Sequence, residues 1–308
     1  MRLRIVQLIF FCMVYSMNSQ QDSQFTQYMY NTITINPAYT ASRDVMNIFT
    51  LHRAQWVGLE GSPSTSVVSL SAPVKGSNLG IGVSILNDRI GPSDETKLET
   101  DFSYTIRAFD DFQFAFGLKA SIGFLNVDFS KLNQFNPGDY AFQDNIQNSF
   151  TPNVGAGLYL YSENTYFGVS VPNILETTYY NKYADAGSVS TAVQRAHVYL
   201  IAGKVFELND AIKLKPSILT KIVNGSPLQV DVSVNTLFSN VLTLGLAYRY
   251  DAAVSALAGV QISDSWFIGY GYDMATTEIA NYSYGTHEIF LRFELFKRYS
   301  GISSPRFF

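Results

Sequence analysis

The three histidines are the residues whose chemistry could support catalysis or metal binding. They are His52, His197 and His287, and each stands apart from any Cys, Asp or Glu at ligand spacing. His287 and Glu288 are adjacent, so on a strand their side chains point to opposite faces and cannot form one site locally. A hydrolase would need a serine, a histidine and a polar orienting group together, and no spacing singles out a serine for His52. We therefore expect no catalytic residue, no metal site and no cofactor.

The first nineteen residues predict a signal peptide. Arg2 and Arg4 precede the apolar stretch 5–15, and a polar end follows, so cleavage is expected after Ser19. The only cysteine, Cys12, lies in this leader, so the mature chain is expected to have no thiol and no disulfide. Elsewhere no stretch approaches the roughly 20 apolar residues that a membrane helix needs. If the chain crosses a membrane, it must do so with strands.

The composition restricts the class of partner. Lys and Arg total 21 against 25 Asp and Glu, for a net charge of -4, so the chain has no electrostatic reason to bind nucleic acid. Charged residues make up 15% of the sequence, below the roughly 25% that is usual in soluble domains. Aromatic residues also reach 15%. This combination favours a protein whose surface partly faces lipid.

Alternation of apolar and polar residues with a period of two is the dominant pattern. In residues 112–124, Phe and Leu side chains occupy one face and small or polar ones, including Lys119, the other. The same pattern recurs at 79–85, 97–108, 212–222, 228–235, 242–251, 266–273 and 288–295, and more weakly at 44–54, 64–72, 151–161, 166–172, 194–206 and 253–262. The pattern predicts an all-β chain of about 14 antiparallel strands, an even number typical of bacterial barrels.

The alternation does not itself say which face points outward, so a soluble sandwich or barrel is the alternative to a transmembrane barrel. The face rich in Gly, Ser, Asn, Lys and Asp suits a wet lumen, and aromatic residues lie near the strand ends, where interfacial girdles belong. Short connections alternate with long ones at 126–150, 174–193 and 274–285. These features favour an outer-membrane barrel with short periplasmic turns, so that both termini are periplasmic.

The predicted organisation has four parts: a signal peptide at 1–19, an N-terminal periplasmic or plug segment at 20–43, the barrel at 44–296 and a C-terminal periplasmic tail at 297–308. Segment 20–43 is too irregular for a strand and either plugs the lumen or docks on a periplasmic partner. A three-residue turn at 109–111 would make Asp101 and Lys119 neighbours across a strand pair, as a structural charge pair inside the lumen.

Several stretches resemble the PorP/SprF family of type IX secretion system membrane proteins. The mature start and the segment after it, the first hairpin, a middle strand, the last two strands and the C-terminus carry the resemblance. They read DSQFTQYMYN at 22–31, INPAY at 35–39, RAQWVGLEG at 53–61, PLQVD at 227–231, GYGYD at 269–273, GTHEI at 285–289 and PRFF at 305–308. The resemblance therefore extends over nearly the whole mature chain.

The resemblance implies a non-enzymatic part in protein export across the outer membrane. One branch of the family is similar to a dedicated companion of a gliding adhesin, whose C-terminal sorting domain it receives and holds at the surface. The other is associated with periplasmic ring and motor components. Outer-membrane lipid is the remaining expected partner. The residues of this chain do not separate the two branches.

The motif residues are the candidates for partner binding, although a role in folding explains them equally well. They are Asn36, Pro37, Tyr39, Arg53, Trp56 and Gly58. Two other functions remain as alternatives. A charged lumen would suit a diffusion pore, and His52 beside a serine would be needed for an outer-membrane lipid hydrolase.

Overall fold

The computed structural model describes residues 24–40, 42–43, 45–132, 144–183 and 189–295. The predicted signal peptide at 1–19 and the predicted tail at 297–308 lie outside this part of the chain. Short 3-10 helices occur at Thr32–Thr34, Pro37–Tyr39, Phe129–Lys131 and Glu278–Asn281. Within the described ranges, no helix combines the length and the apolar character that crossing a membrane requires.

Strands make up most of the described chain. In chain order they are β1 Met46–Ala54, β2 Ser64–Pro73, β3 Leu79–Ile90, β4 Ser93–Arg107, β5 Gln113–Val127, β6 Ile146–Tyr161, β7 Thr165–Val171, β8 Thr177–Tyr183, β9 Val189–Gln194, β10 His197–Lys204, β11 Phe206–Asn209, β12 Ile212–Val223, β13 Gln229–Phe238, β14 Leu242–Arg249, β15 Ala253–Gln261, β16 Trp266–Ala275 and β17 Thr286–Leu295.

Fourteen of these strands form one closed antiparallel ring. Each of β1 to β7 pairs with the next, β7 pairs with β10, β10 with β12, and the order then runs to β17, which pairs with β1. Closure pairs the backbone groups of every strand, as a hydrocarbon surrounding requires. The predicted antiparallel barrel of about 14 strands is confirmed.

Three strands outside the ring were not predicted separately. β11 continues the line of β10 and pairs with β12, and β8 and β9 form a hairpin of their own. The hairpin lies within the connection 174–193, which we expected to be a loop. Its sequence, TTYYNKY at 177–183, has no alternation of apolar and polar residues that would have indicated a strand.

The two faces of the wall follow the alternation. The outward face exposes large apolar side chains, and the inward face buries polar and charged ones. Outward examples are Ile81, Val83, Phe102, Phe116, Leu118, Ile218, Leu246 and Ile289, and inward examples are Glu99, Asp101, Lys119, Lys215, Lys221, Asp231, Glu288 and Arg292. An apolar exterior around a polar interior is the arrangement of a membrane barrel and the inverse of a soluble one.

The two ends of the barrel differ in their connections. The turns 74–78, 108–112, 162–164, 210–211, 239–241 and 262–265 lie together at one end, here the short-turn end. The long connections 55–63, 128–145, 172–196 and 276–285 lie at the other, the long-loop end, together with the short turns 91–92, 224–228 and 250–252. β1 begins and β17 finishes at the short-turn end.

Candidate functional site: the lumen and its N-terminal plug

The N-terminal segment occupies the barrel interior, and we call its described residues, 24–40 and 42–43, the plug. Most of its side chains are buried. At one extreme the Gln24 amide donates to Asp231 Oδ2 (3.0 Å) and accepts from Gln229 Nε2 (2.8 Å), near the long-loop end of β13. At the other extreme Arg43 forms an ion pair with Glu294, near the short-turn end of β17. Gln24 therefore lies at the end opposite Leu295. The two termini, which we expected in the periplasm, lie outside the described part of the chain.

Aromatic residues pack the middle of the plug against the wall. The Tyr30 ring lies 4.5 Å from the ring of Phe290 and 5.3 Å from that of Phe267, and the Tyr39 ring meets Tyr159 edge-on at 5.5 Å. The plug therefore fills the lumen with apolar surface as well as with ionic contacts.

The motif Asn36-Pro37-Ala38-Tyr39 forms a tight turn against the wall. Asn36 caps the 3-10 helix Pro37–Tyr39, its Oδ1 accepting from the Ala38 backbone N–H at 3.0 Å. Its Nδ2 donates to the Leu158 carbonyl of β6 at 3.0 Å. Asn36 is 0% exposed. One side chain thus accepts a backbone N–H of the turn and also binds the turn to a strand, two hydrogen bonds that an apolar residue could not make.

Glycines in the wall leave the space that this turn fills. A Cβ added at Gly117 would overlap the backbone of Pro37 and Ala38, and one added at Gly157 would overlap Asn36 Oδ1. The glycines of β5 and β6 therefore serve close packing of the backbone.

Arg53 lies at the centre of a buried ionic contact between plug and barrel. Its guanidinium donates to Glu288 Oε2 at 2.7 Å, to Asp273 Oδ2 at 2.9 Å and to Thr26 Oγ1 at 3.0 Å. The Glu288 carboxylate also accepts from the backbone N–H groups of Thr26 and Gln27, at 3.2 and 3.0 Å. We call these five residues the Arg53 cluster. It joins the plug to β1, β16 and β17 near the long-loop end.

A second buried contact, the Arg43 cluster, holds the plug at the short-turn end. Arg43 pairs with Glu294, whose Oε1 also lies 3.6 Å from Arg292 Nε. The Arg292 guanidinium lies 4.9 Å from the centre of the Phe267 ring, a cation–π contact. The plug is therefore held by an ion pair at the short-turn end and by hydrogen bonds to buried charged side chains at the long-loop end.

Asp101 and Lys119 lie opposite each other in the register of β4 and β5. The Ala108 N–H bonds to the Phe112 carbonyl, closing a turn in which Asp110 takes a positive φ. Lys119 Nζ is 3.6 Å from Asp101 Oδ1 and 2.5 Å from Glu99 Oε2, and both side chains of the Asp101–Lys119 pair are fully buried. The lysine thus contacts two carboxylates on the lumen face.

Trp56 and Gly58 lie outside the lumen, in the loop 55–63 at the long-loop end. Trp56 has φ +47, Gly58 has φ +100, and Val57 exchanges backbone hydrogen bonds with Tyr284 and Gly285. A Cβ at Gly58 would come within 3 Å of the Tyr284 ring. Of the six candidate partner-binding residues, the structure brings Asn36, Pro37 and Tyr39 together, with Arg53 farther along the lumen. Trp56 and Gly58 alone lie toward solvent.

The histidines form no catalytic arrangement within the described part of the chain. His52 Nδ1 is 2.9 Å from Ser66 Oγ, but both residues lie on the outward face. His197 bonds to the Arg195 carbonyl and His287 to the Tyr270 hydroxyl. Among residues 24–40, 42–43, 45–132, 144–183 and 189–295, no group of three or more His, Cys, Asp or Glu side chains is placed to hold a metal ion.

Sequence reasoning did not identify the residues that hold the plug. Thr26 and Gln27 lie in an irregular segment, where no periodicity indicates a facing direction. Asp273 and Glu288 were expected on the lumen face because each alternates with apolar neighbours. Their pairing with Arg53 joins residues more than 200 positions apart, and a local pattern carries no information about such a pairing.

The fold is similar to those of solved membrane channels. The CymD monoaromatic hydrocarbon channel is 12% identical with a TM-score of 0.53, over 89% of this chain and 94% of that chain. The Pseudomonas putida toluene transporter TodX is 11% identical (TM-score 0.49; 90% and 95%), and a Pseudomonas aeruginosa FadL homologue 13% (0.47; 92% and 96%). At these identities the likeness concerns the fold alone, and the statement that the folds are similar rests on CymD.

Family membership follows from the sequence. No curated protein sequence matches the chain. The family described as type IX secretion system membrane protein PorP/SprF matches residues 17–293. This range includes every motif on which the resemblance depended except the C-terminal PRFF, as well as the whole plug and thirteen of the ring strands in full. The chain therefore belongs to the PorP/SprF family of type IX secretion system membrane proteins.

Proposed function

We propose that this chain is a non-enzymatic anchor of the type IX secretion system in the outer membrane. It binds a secreted surface protein, such as a gliding adhesin, through that protein's C-terminal sorting domain. The observation that carries the proposal is the plug, which lies buried in the lumen and is held by an ion pair at one end and by hydrogen bonds to a buried charged cluster at the other. With the interior occupied, the loops are the surface that remains for a partner.

The long-loop end offers the larger contact surface. Tyr282 and Tyr284 are 72% and 78% exposed in the loop 276–285, next to Trp56 in the loop 55–63. Exposed tyrosines are typical of recognition surfaces because they present a large rigid area with a polar group. We place this end outside the cell and the short-turn end, with Leu295, in the periplasm, since long external loops and short periplasmic turns are usual in this class of barrel.

The test is complementation of a deletion strain. Wild type and the variant Phe109→Ala should restore the surface protein, whereas Tyr282→Ala should restore less, measured by protease accessibility on intact cells. Phe109 is the matched control, because it is also an exposed aromatic, at 57%, but lies in a turn at the short-turn end. Normal surface display of every secreted protein in the deletion strain would end the proposal.

A scaffold for periplasmic ring components is the second candidate function. Exposed apolar side chains at the short-turn end favour it, namely Phe109, Leu208 and Ile262. In that case the same experiment gives the reverse result, with Phe109→Ala losing secretion and Tyr282→Ala retaining it.

A diffusion pore is the remaining alternative, and planar bilayers test it. The proposed anchor should show no steady conductance as wild type, because the plug occupies the lumen. Deletion of residues 24–43 should produce conductance if the barrel remains folded. Steady conductance of the wild-type protein would favour a pore over an anchor.

A further inference from the structure

The plug contacts the wall at successive heights along the barrel axis. Its first described residue, Gln24, bonds to Gln229 and Asp231, the first and third residues of β13 at the long-loop end. Thr26 bonds to Asp273 and Glu288, which are also the third residues from that end in their strands. The plug therefore begins in the half of the lumen nearest the long loops.

The following residues lie progressively closer to the short-turn end. The Asn31 amide oxygen accepts from Ser69 Oγ, midway along β2. Asn36 bonds to Leu158, four residues from the end of β6. Arg43 pairs with Glu294, the residue before the last of β17. Contacts at the top, middle and bottom of the wall thus occur in the order of the sequence.

We propose that the plug threads the lumen from the long-loop end to the short-turn end, so that its Gln24 end is accessible from the side of the membrane where the long loops lie. Gln24 and Leu295 then face opposite sides of the membrane. With the orientation given under the proposed function, on which this part rests, the Gln24 end of the plug is an extracellular element. A secreted partner would meet it beside the start of β13.

The burial and the hydrogen bonds of residues 24–27 support this path. Phe25, Thr26 and Gln27 are buried, whereas Gln24 is partly exposed. The Arg53 cluster fixes the plug just below Gln24, because Glu288 accepts the backbone N–H groups of two successive plug residues while Arg53 donates to the Thr26 side chain.

Single-cysteine labelling tests the path. Cys12 is the only cysteine of the sequence, so a Cys12→Ser background accepts one probe at a time. Ser23→Cys reports the residue before the plug, Thr277→Cys the long-loop end and Lys75→Cys the short-turn end, the last two being exposed. Intact and permeabilised cells are treated with a membrane-impermeant maleimide, and folded protein is selected by its heat-modifiable migration in gels.

The expected result is that Ser23→Cys is labelled in the same sample as Thr277→Cys. Labelling together with Lys75→Cys, or no labelling of folded Ser23→Cys in either sample, overturns the proposal. An epitope inserted after Gln21 and detected by antibody on intact or permeabilised cells gives the same comparison if Ser23→Cys does not fold. The test compares Ser23→Cys only with the two reference cysteines. If the long-loop end proved to be periplasmic, the result would therefore contradict the proposed orientation without contradicting the path of the plug.

Discussion

Replacing Arg53 with methionine should release one end of the plug and destabilise the barrel. The variant keeps a long side chain but leaves the carboxylates of Asp273 and Glu288 buried without their cation, where the wild type has one positive and two negative charges. Removing one partner of a buried ion pair costs about 3–5 kcal/mol. That range lowers the ratio of folded to unfolded protein by a factor of roughly 150 to 4,000. Urea unfolding from lipid vesicles, followed by tryptophan fluorescence, measures it.

The matched control is Arg89→Met. Arg89 Nε lies 2.8 Å from Asp94 Oδ2, between the 2.7 and 2.9 Å of the two Arg53 ion pairs, but the two side chains are 67% and 40% exposed. An exposed pair contributes roughly 0–1 kcal/mol, so this variant should unfold almost as wild type does. If Arg53→Met also lost less than about 1 kcal/mol, or if the two variants lost the same amount, the view that the buried cluster holds the plug would be refuted.

Three further predictions follow from the same geometry. Gly157→Val should lower the yield of folded, heat-modifiable protein, because the valine side chain would overlap Asn36 Oδ1. The control Ala156→Val, at the adjacent outward-facing position, should fold normally, and equal yields of the two variants would contradict the packing described. Leu118→Arg places a charge at an outward position whose side chain is 65% exposed, and near the membrane midplane it should lower the unfolding free energy in vesicles by about 2–4 kcal/mol. Leu208→Arg at the short-turn end should lower it little, and the reverse order would show that the lipid-facing belt is not where we place it. Lys119→Met leaves Glu99 and Asp101 without their cation and should lower the free energy of unfolding by about 3–5 kcal/mol. The additional change Asp101→Asn should restore part of this loss, and a double variant no more stable than the single one would argue against an electrostatic cause.

The sequence alone could predict the wall of this barrel because the alternation of side chains is a local property. Residues such as Leu118 and Lys119 show their facing direction through their immediate neighbours, and a two-residue period holds along each ring strand. The count of ring strands and the grouping of the long loops at one end follow from the same signal.

The contents of the lumen could not be predicted in this way. Asn36 and Arg53 were singled out by family resemblance, but nothing in their spacing shows that one caps a turn against β6 and the other joins Thr26 to β16 and β17. Such contacts depend on how the closed ring brings distant strands around one segment. A segment without regular periodicity, such as 24–43, gives no local indication of its partners.

The span of the plug contacts also determines when the plug can be seated during assembly. Thr26 and Glu288 are separated by 262 positions in the chain, and Glu294 lies in the same final strand. The plug precedes every ring strand in the sequence, yet two of its carboxylate partners, Glu288 and Glu294, lie in the last one. Contacts between such distant residues form slowly, since a long loop must close before they contribute. Seating of the plug and the joining of β17 to β1 are therefore coupled late steps, and the nascent barrel must stay open until its final strand is in place.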